Sequence, residues 1–383
     1  MPKEARRAYL EAIRERYKKS GRRQKSVILS EFCQVCGYCR KYAVRILNRK
    51  IEPGSKRPGP AAKYDIEVCA HLKSLWEAMN KMCSKKMKAA LPLWLPFYPA
   101  SDATKSLLMQ MSPSTIDRAL RPYKHKKMKG LSTTKPSLIK NRVPIKLLDS
   151  EITKPGMIEG DTVAHCGTAI DGTYVNSLTA TDLFSGWTEN RALWGKTGAE
   201  VLKAIQDIEA SLPFKLKGFA SDNGTEFLND NLVKHFYQRE EPIAFVRSRA
   251  YKKNDSAHVE QKNWTHVREL FGYERLENFH MTLMMNEIYQ NLWNPLWNYF
   301  TPCMKLKKKF RYGGKIKKIY DDPKTPMQRL LDHTDLPEES RQQLEEKLKT
   351  LNPFELKQNL EKKLKIFFEY VDRHKRPHKP NGT

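Results

Sequence analysis

The 383-residue chain contains no apolar run approaching the ~18 residues that a membrane-spanning helix requires, which excludes that class. Its first stretch, MPKEARRAYLEAIRERYKK, carries charge but no apolar centre, so it does not read as a secretory signal. Cysteine is scarce and odd in number, at seven. That argues against a disulfide framework and for reduced thiols in a cytosolic compartment. Acid is scarce in particular places. Residues 1–63 hold 18 Lys/Arg against 5 Glu, and residues 121–146 hold nine Lys/Arg with no acid at all. The 22 Pro and 18 Gly do not amount to low complexity, and 39% hydrophobic residues suffice for globular cores.

What is present is a net charge of +27. At roughly 100–200 residues per domain, the length implies two to four domains. The charge is uneven: +13 over 1–63, −3 over 151–270 and +9 over 301–383. A near-neutral middle flanked by basic arms is the pattern of a core carried to a polyanion by accessory segments. Nucleic acid fits that pattern better than a membrane surface.

Residues 3–19 have helical spacing, with Ala5, Tyr9, Ala12, Ile13 and Tyr17 near one face. Residues 26–49 fit a helix-turn-helix: Phe32, Cys36, Tyr38, Ala43 and Ile46 supply apolar contacts, Cys33 is small at the crossing, and Gly37 sits at the turn. Arg40, Lys41, Arg45 and Asn48 on the second helix are the candidates for a major groove. A plain αα-hairpin satisfies the same pattern. Cys33, Cys36 and Cys39 lack a fourth nearby ligand, which disfavours a metal. The domain expected here is 1–51, followed by a basic Pro/Gly linker at 52–63. Residues 64–120 read as a second helical DNA-binding domain: Ile66, Cys69, Leu72, Leu75, Trp76 and Met79 recur at helical spacing, and Ser112-Pro113 opens a later helix. A basic linker at 121–150, with Lys126 and Lys127, suits phosphate contact.

From 151 to 272 the pattern changes. Strands are expected at 157–165, 173–182, 186–194, 215–222 and 242–248, and helices at 197–212, 225–239 and 256–270. Three antiparallel strands followed by alternating helices and strands make a mixed α/β layer. Asp161 falls on the first strand, Asp222 at the end of the fourth, and Glu260 on the helix after the fifth. Three clustered carboxylates repel unless cations hold them, and hard oxygen ligands select Mg2+ or Mn2+, here two ions per site. Asp182, ending the second strand, is the acid most easily mistaken for one of the three. His165, Cys166 and His258 lie near the set in sequence and read equally as supporting or core groups.

GDT at 160–162, SDNGTEF at 221–227 and HVEQKN at 258–263 resemble the catalytic blocks of DDE transposases and retroviral-type integrases. The chain is similar to bacterial insertion-sequence transposases with an integrase-type core of ribonuclease-H-like fold. The resemblance covers 157–271, and 37 residues separate Asp222 from Glu260. It implies that Asp161, Asp222 and Glu260 carry two metal ions and that Asn223 and Gly224 shape the turn after the second Asp. Relatives place a basic residue seven positions after the Glu. Here that position is Val267, with Arg268 beside it and Lys262 nearer the acid as a further DNA-contact candidate. The resemblance further implies double-stranded DNA partners (transposon ends and target), a homodimer or higher homo-oligomer, and a nucleoid-associated place in a bacterial cytoplasm.

Residues 273–300 read as a helical extension packed on the core, 301–337 as a small basic β-rich domain, and 338–383 as C-terminal helices and a tail. Leu356, Leu360, Leu364 and Phe367 form an apolar stripe that either packs internally or joins protomers. The expected activity is DNA cleavage and strand transfer. A domesticated, non-catalytic DNA-binding regulator and a nuclease of the same fold are its rivals.

Overall fold

The structure, a computed structural model, describes residues 3–49, 63–124, 152–221, 224, 226–247, 262–312 and 315–374. The linker at 52–62, most of the basic segment at 121–150 and the tail from 375 lie outside them. The chain divides into two units, Met1–Lys63 and Tyr64–Thr383.

The first unit is three helices, α1 (Lys3–Lys19), α2 (Arg22–Cys36) and α3 (Arg40–Asn48). Ile13, Tyr17, Ile28, Leu29, Phe32, Cys36, Ala43 and Leu47 form its core. Gly37 closes α2 at φ 69°, with its N–H on the carbonyl of Cys33. Only a residue without a Cβ takes that turn cheaply. Two details differ from expectation. Ala12 is exposed, because the buried stripe of α1 runs through Ile13 and Tyr17. On α3, Leu47 is fully buried whereas Ile46 only borders the core.

The second unit begins with α4 (Ile66–Ala78), α5 (Ser84–Trp94), α6 (Asp102–Gln110) and α7 (Pro113–Leu120). Asp65, Ser101 and Ser112 each accept a first-turn backbone N–H from their side chain, so three of the four starts are sequence-coded caps. Ile66, expected in the core, is 90% exposed, because the apolar face of α4 starts at Val68. Residues 64–120, expected as a separate domain, share one hydrophobic core with the sheet and the C-terminal helices. Trp94 donates to the carbonyl of Phe300 at 3.1 Å and meets the ring of Phe354 edge-on.

The sheet comprises β1 (Met157–Ala164), β2 (Val175–Asp182), β3 (Thr188–Trp194), β4 (Gly218–Ser221) and β5 (Ala244–Arg247) in the order β3-β2-β1-β4-β5. The first three are antiparallel, whereas β4 runs parallel to β1 and to β5. Every residue of β2 is buried. Helix α8 (Gly198–Ser211), capped by Thr197, packs on β2 and β3, and α9 (Asp230–Tyr237) packs on α8 and β5. This mixed five-stranded sheet with flanking helices is consistent with a ribonuclease-H-like core. Helix α9 starts five residues later than expected. Asn229 is the true cap, accepting from Leu232 N–H at 3.1 Å, and Gly224 with residues 226–229 forms a turn that buries Phe227.

Helix α10 is π-helical over Asn263–Arg268 and α-helical over Glu269–Phe271. A continuous helical run follows: α11 (Phe279–Ile288), a π-helical turn (Tyr289–Trp293) and α12 (Asn294–Phe300). It covers the sheet's β3 edge. Asn286 pairs both ways with the backbone of Ala192, and Asn298 does the same with Thr188. Those amides occupy groups that an edge strand otherwise leaves open to pairing with another chain. A two-stranded ribbon, β6 (Leu306–Tyr312) with β7 (Lys315–Tyr320), precedes α13 (Pro326–Leu331), α14 (Glu338–Thr350) and α15 (Pro353–Arg373). The stripe of α15 packs internally: Leu356, Leu360 and Phe367 are buried, and Phe367 meets Phe271. Among the described residues, no helix is long and apolar enough to cross a membrane.

Candidate active site

Asp161 stands half-buried on β1. The residue before it must be small, because a Cβ on Gly160 would lie 2.4 Å from the ring of Phe219 on β4. The two strands therefore approach closely beside the carboxylate. Oδ1 accepts the N–H of Thr162 at 2.8 Å, and Oδ2 accepts the side-chain amide of Asn263 at 2.6 Å.

Asp222, Asn223 and Glu260 lie outside the described residues, as do His258, Lys126 and Lys127. Described chain neighbours of Asp222 and Glu260 reach β1 at Gly160 and Asp161. Ser221, which precedes Asp222, pairs in register with Gly160, which precedes Asp161. Asn263, three positions past Glu260, holds the carboxylate of Asp161 directly. The carbonyl of Gly224 accepts the N–H groups of Phe227 and Leu228 and so forms a turn at the end of the second block. Among the described residues, no three His, Cys, Asp or Glu side chains group to hold a metal. Asp161 is the one described member of the carboxylate set. Its donor chemistry suits a hard divalent cation: it is an all-oxygen ligand and only half-buried.

Two supporting residues escaped the sequence reading although both lie inside the quoted blocks. Asn263 is one. Glu226 is the other: it is 9% exposed, accepts the hydroxyl of Thr162 at 3.0 Å and lies 3.8 Å from Lys196. The signal was their membership of SDNGTEF and HVEQKN. Only the fold shows that both side chains reach the β1 residues at and beside Asp161.

Other candidates are placed elsewhere. Asp182 is fully buried and accepts from Gly156 N–H at 2.9 Å and from the N–H and hydroxyl of Ser185, each at 2.6 Å. It closes the β2–β3 turn, and burial raises its pKa. Lys262 turns inward, its Nζ 4.3 Å from the centre of the Trp297 ring and 3.5 Å from the carbonyl of Gly186. Burial pushes its pKa down to about 8. Arg268 spends its guanidinium on the carbonyls of Ala164 and Gly272 and lies over Tyr273. His165 is buried, its Nε2 2.9 Å from Ser177, which also meets Tyr289. Burial, helped by Arg268, lowers its pKa to about 3, so it is neutral. His266 sits between Trp293 and Trp297 with Nδ1 3.0 Å from Asn190, and burial holds its pKa well below the usual histidine range. In the first unit, Lys41, Arg45 and Asn48 are exposed, with Arg45 lying over Tyr42. Arg40 is tied to the hydroxyls of Ser26 and Ser30 on α2.

No family model matches the chain. It is 35% identical over 334 residues to the uncharacterized protein y4rM of Sinorhizobium fredii, covering 84% of this chain and 93% of that protein. Among solved structures it is similar to the catalytic core of BIV integrase, at 17% identity and a TM-score of 0.22 over 28% of this chain and 62% of that one. It is also similar to the HTLV-2 integrase catalytic core in complex with magnesium (trimeric form), at 18% identity and a TM-score of 0.24 over 31% of this chain and 70% of that one.

Proposed function

The chain belongs to the family of the Sinorhizobium fredii protein y4rM, and we propose that it is a DDE-type polynucleotidyl transferase that mobilises DNA. Family membership brings no activity with it, so the chemistry rests on the chain's own residues. One observation carries the reading. Three sequence blocks, GDT, SDNGTEF and HVEQKN, are far apart in the chain, yet described residues of the second and third reach the first on β1: Ser221 pairs with Gly160, Glu226 bonds Thr162 and Asn263 bonds Asp161.

In this reading Asp161, Asp222 and Glu260 hold divalent metal. Mg2+ or Mn2+ bound there would supply the Lewis acidity that phosphoryl transfer demands. Asn263 fixes the orientation of the Asp161 carboxylate, and the Thr162–Glu226 bond ties the end of β1 to the turn after β4. By the resemblance, Asn223 and Gly224 would shape the turn after the second acid. The reaction is an exchange of phosphodiesters. A 3′-hydroxyl oxygen at a cut element end bonds to a target phosphorus, and the bond from that phosphorus to the target's own 3′ oxygen breaks. The attacking hydroxyl loses its proton and the leaving oxygen gains one. One ester replaces another, so no nucleoside triphosphate is consumed. Lys41, Arg45 and Asn48 of the first unit bind the element ends. Paired ends require a homodimer or higher oligomer.

The test is strand transfer. Labelled element-end DNA, a plasmid target and Mg2+ are incubated with the protein. Joined product is expected from the wild type, and none from Asp161→Asn, Asp222→Asn or Glu260→Gln, with DNA affinity held within a few-fold. Binding without any product from the wild type would favour the non-catalytic regulator. Loss of DNA binding by all three variants would remove the metal-site assignment.

A further inference from the structure

The first turn of α10 carries Asn263, which holds the Asp161 carboxylate, and that turn is itself held from other directions. Lys262 runs its half-buried stem toward α12. Its ammonium lies 4.3 Å from the centre of the Trp297 ring and 3.5 Å from the carbonyl of Gly186, in the β2–β3 turn. One turn further on, His266 is fully buried. Its ring meets the same Trp297 at 4.3 Å between centres, and its Nδ1 accepts the indole N–H of Trp293 at 3.0 Å. Both segments that meet here are π-helical, Asn263–Arg268 and Tyr289–Trp293. Such turns are rare, and they occur frequently at functional sites. Successive helix residues point in different directions, so Asn263 ties the turn to β1 while Lys262 and His266 tie it to α12 and the β2–β3 turn.

Stability does not explain the lysine. An ammonium drawn out of water loses hydration that one ring face and one carbonyl replace only in part. A methionine of similar length would pack on Trp297 without that loss. What the charge adds is a fixed position, because it is drawn to one ring face and one oxygen. That oxygen is fixed in turn. The N–H of Gly186 bonds the carbonyl of Asp182 at 2.8 Å, while the buried Asp182 carboxylate holds the N–H and hydroxyl of Ser185, each at 2.6 Å. Gly186 itself takes φ +77°, and a Cβ there would lie 3.3 Å from the sulfur of Cys303.

We propose that Lys262 is a positioning residue for the carboxylate site. Anchored on Trp297 and the Gly186 carbonyl, it sets the first turn of α10 and acts through Asn263 on Asp161. The proposal rests on the metal-dependent reading of Asp161. It adds that α12, which lies outside all three sequence blocks, helps to define the site.

The experiment titrates Mn2+ into the full chain without DNA and follows the paramagnetic resonance signal of the free ion, so turnover plays no part. Loss of a residue that orients a metal ligand costs roughly 10–100-fold in metal affinity, and Lys262→Met should weaken Mn2+ binding by about tenfold. Lys262→Arg keeps a cation for the ring and a donor for the carbonyl, so it should restore most of that affinity. Trp297→Phe should lose less than Lys262→Met, because a phenyl ring attracts a cation less strongly than an indole but does not abolish the contact. Because Lys262 acts through Asn263, the double variant Lys262→Met with Asn263→Ala should bind Mn2+ no more weakly than Asn263→Ala alone. The salt dependence of duplex affinity should be the same in Lys262→Met as in the wild type, whereas a lost phosphate contact would lower the slope by about 0.9. Unchanged Mn2+ affinity in Lys262→Met, additive losses in the double variant, or a reduced salt slope would each overturn the positioning role and leave the carboxylate reading standing. A wild type that binds no Mn2+ overturns both. Circular dichroism checks the fold of each variant, and Trp297→Phe with Lys262→Arg carries the test if Lys262→Met does not fold.

Discussion

Two polar regions of one sheet teach opposite lessons. On β3, the carboxylate of Glu189 is buried, with burial raising its pKa, and it accepts from Trp187 at 3.0 Å, Arg191 at 3.0 Å and Asn294 at 2.8 Å. Around it, Asn190 donates to Thr179, and Asn298 brackets Thr188. This network closes on itself, sealing the sheet edge against α11 and α12. On β1, Asp161 is half-buried and accepts from the N–H of Thr162 and the side-chain amide of Asn263, both residues of the quoted motifs. A buried acid whose donors are supplied by the fold serves the fold. An acid on a strand, held in orientation but only half-buried, is available for chemistry.

The largest effect expected from that contrast is on stability. Glu189→Ala would strand the side-chain donors of Trp187 and Asn294 and take one acceptor from Arg191, which keeps Asp207 and Ser211. Leaving buried donors unsatisfied costs about 1–3 kcal/mol each. Asp161→Asn, at a partly open site, should cost less than about 1 kcal/mol. Urea unfolding of the two variants measures both. Similar losses in the two would erase the distinction between a structural and a chemical acid.

The next effect is on pH. His165 lies within the closed interior behind the site and stays neutral down to about pH 3, whereas an unfolded histidine takes up its proton near 6.5. Its folded pKa is the lower one, so the unfolded state binds more protons throughout that window and stability falls as pH falls. Between pH 7 and pH 5 this group should cost about 2 kcal/mol. Other carboxylates titrate too, so the readout is the difference between the wild type and His165→Gln. If both lose the same stability over that range, burial of His165 is not what sets the slope.

Most of the sheet was legible because alternation and β-branched residues mark strands, and because Thr197, Ser112 and Asn352 announce helix starts with their own side chains. What was misread needed tertiary information. Helix α9 was placed five residues early because TEF continues the helical spacing. Its actual cap, Asn229, lies four residues further on and also donates to the carbonyl of Glu226. Ile66 fits the α4 periodicity but precedes the first turn that touches the core. Lys262 read as a DNA contact because nothing local shows Trp297, 35 positions away, waiting under its ammonium. Asp161 was legible as an acid in a motif, whereas its partners Asn263 and Glu226 were visible only as letters in the same blocks. Asp222 and Glu260 rest on sequence alone.

The smallest effect sharpens the comparison most, because it asks whether the orientation of Asp161 matters as well as its charge. Asn263 donates to Oδ2 from the first turn of α10, so it fixes the carboxylate plane without adding charge. Asn263→Ala removes that bond and leaves the acid present, unable to hold a single orientation. Loss of a residue that orients a metal ligand typically costs 10–100-fold in metal affinity or activity. Here the lower end is expected, about tenfold, because the N–H of Thr162 still holds Oδ1. The loss should show as a higher Mg2+ requirement for strand transfer and recover in part at raised Mg2+. DNA affinity, which depends on lysines and arginines elsewhere, should not move. A purely structural role would instead lower thermal stability and leave the Mg2+ dependence of the surviving activity unchanged, and that outcome would return Asn263 to the closed class of polar residues that β3 exemplifies.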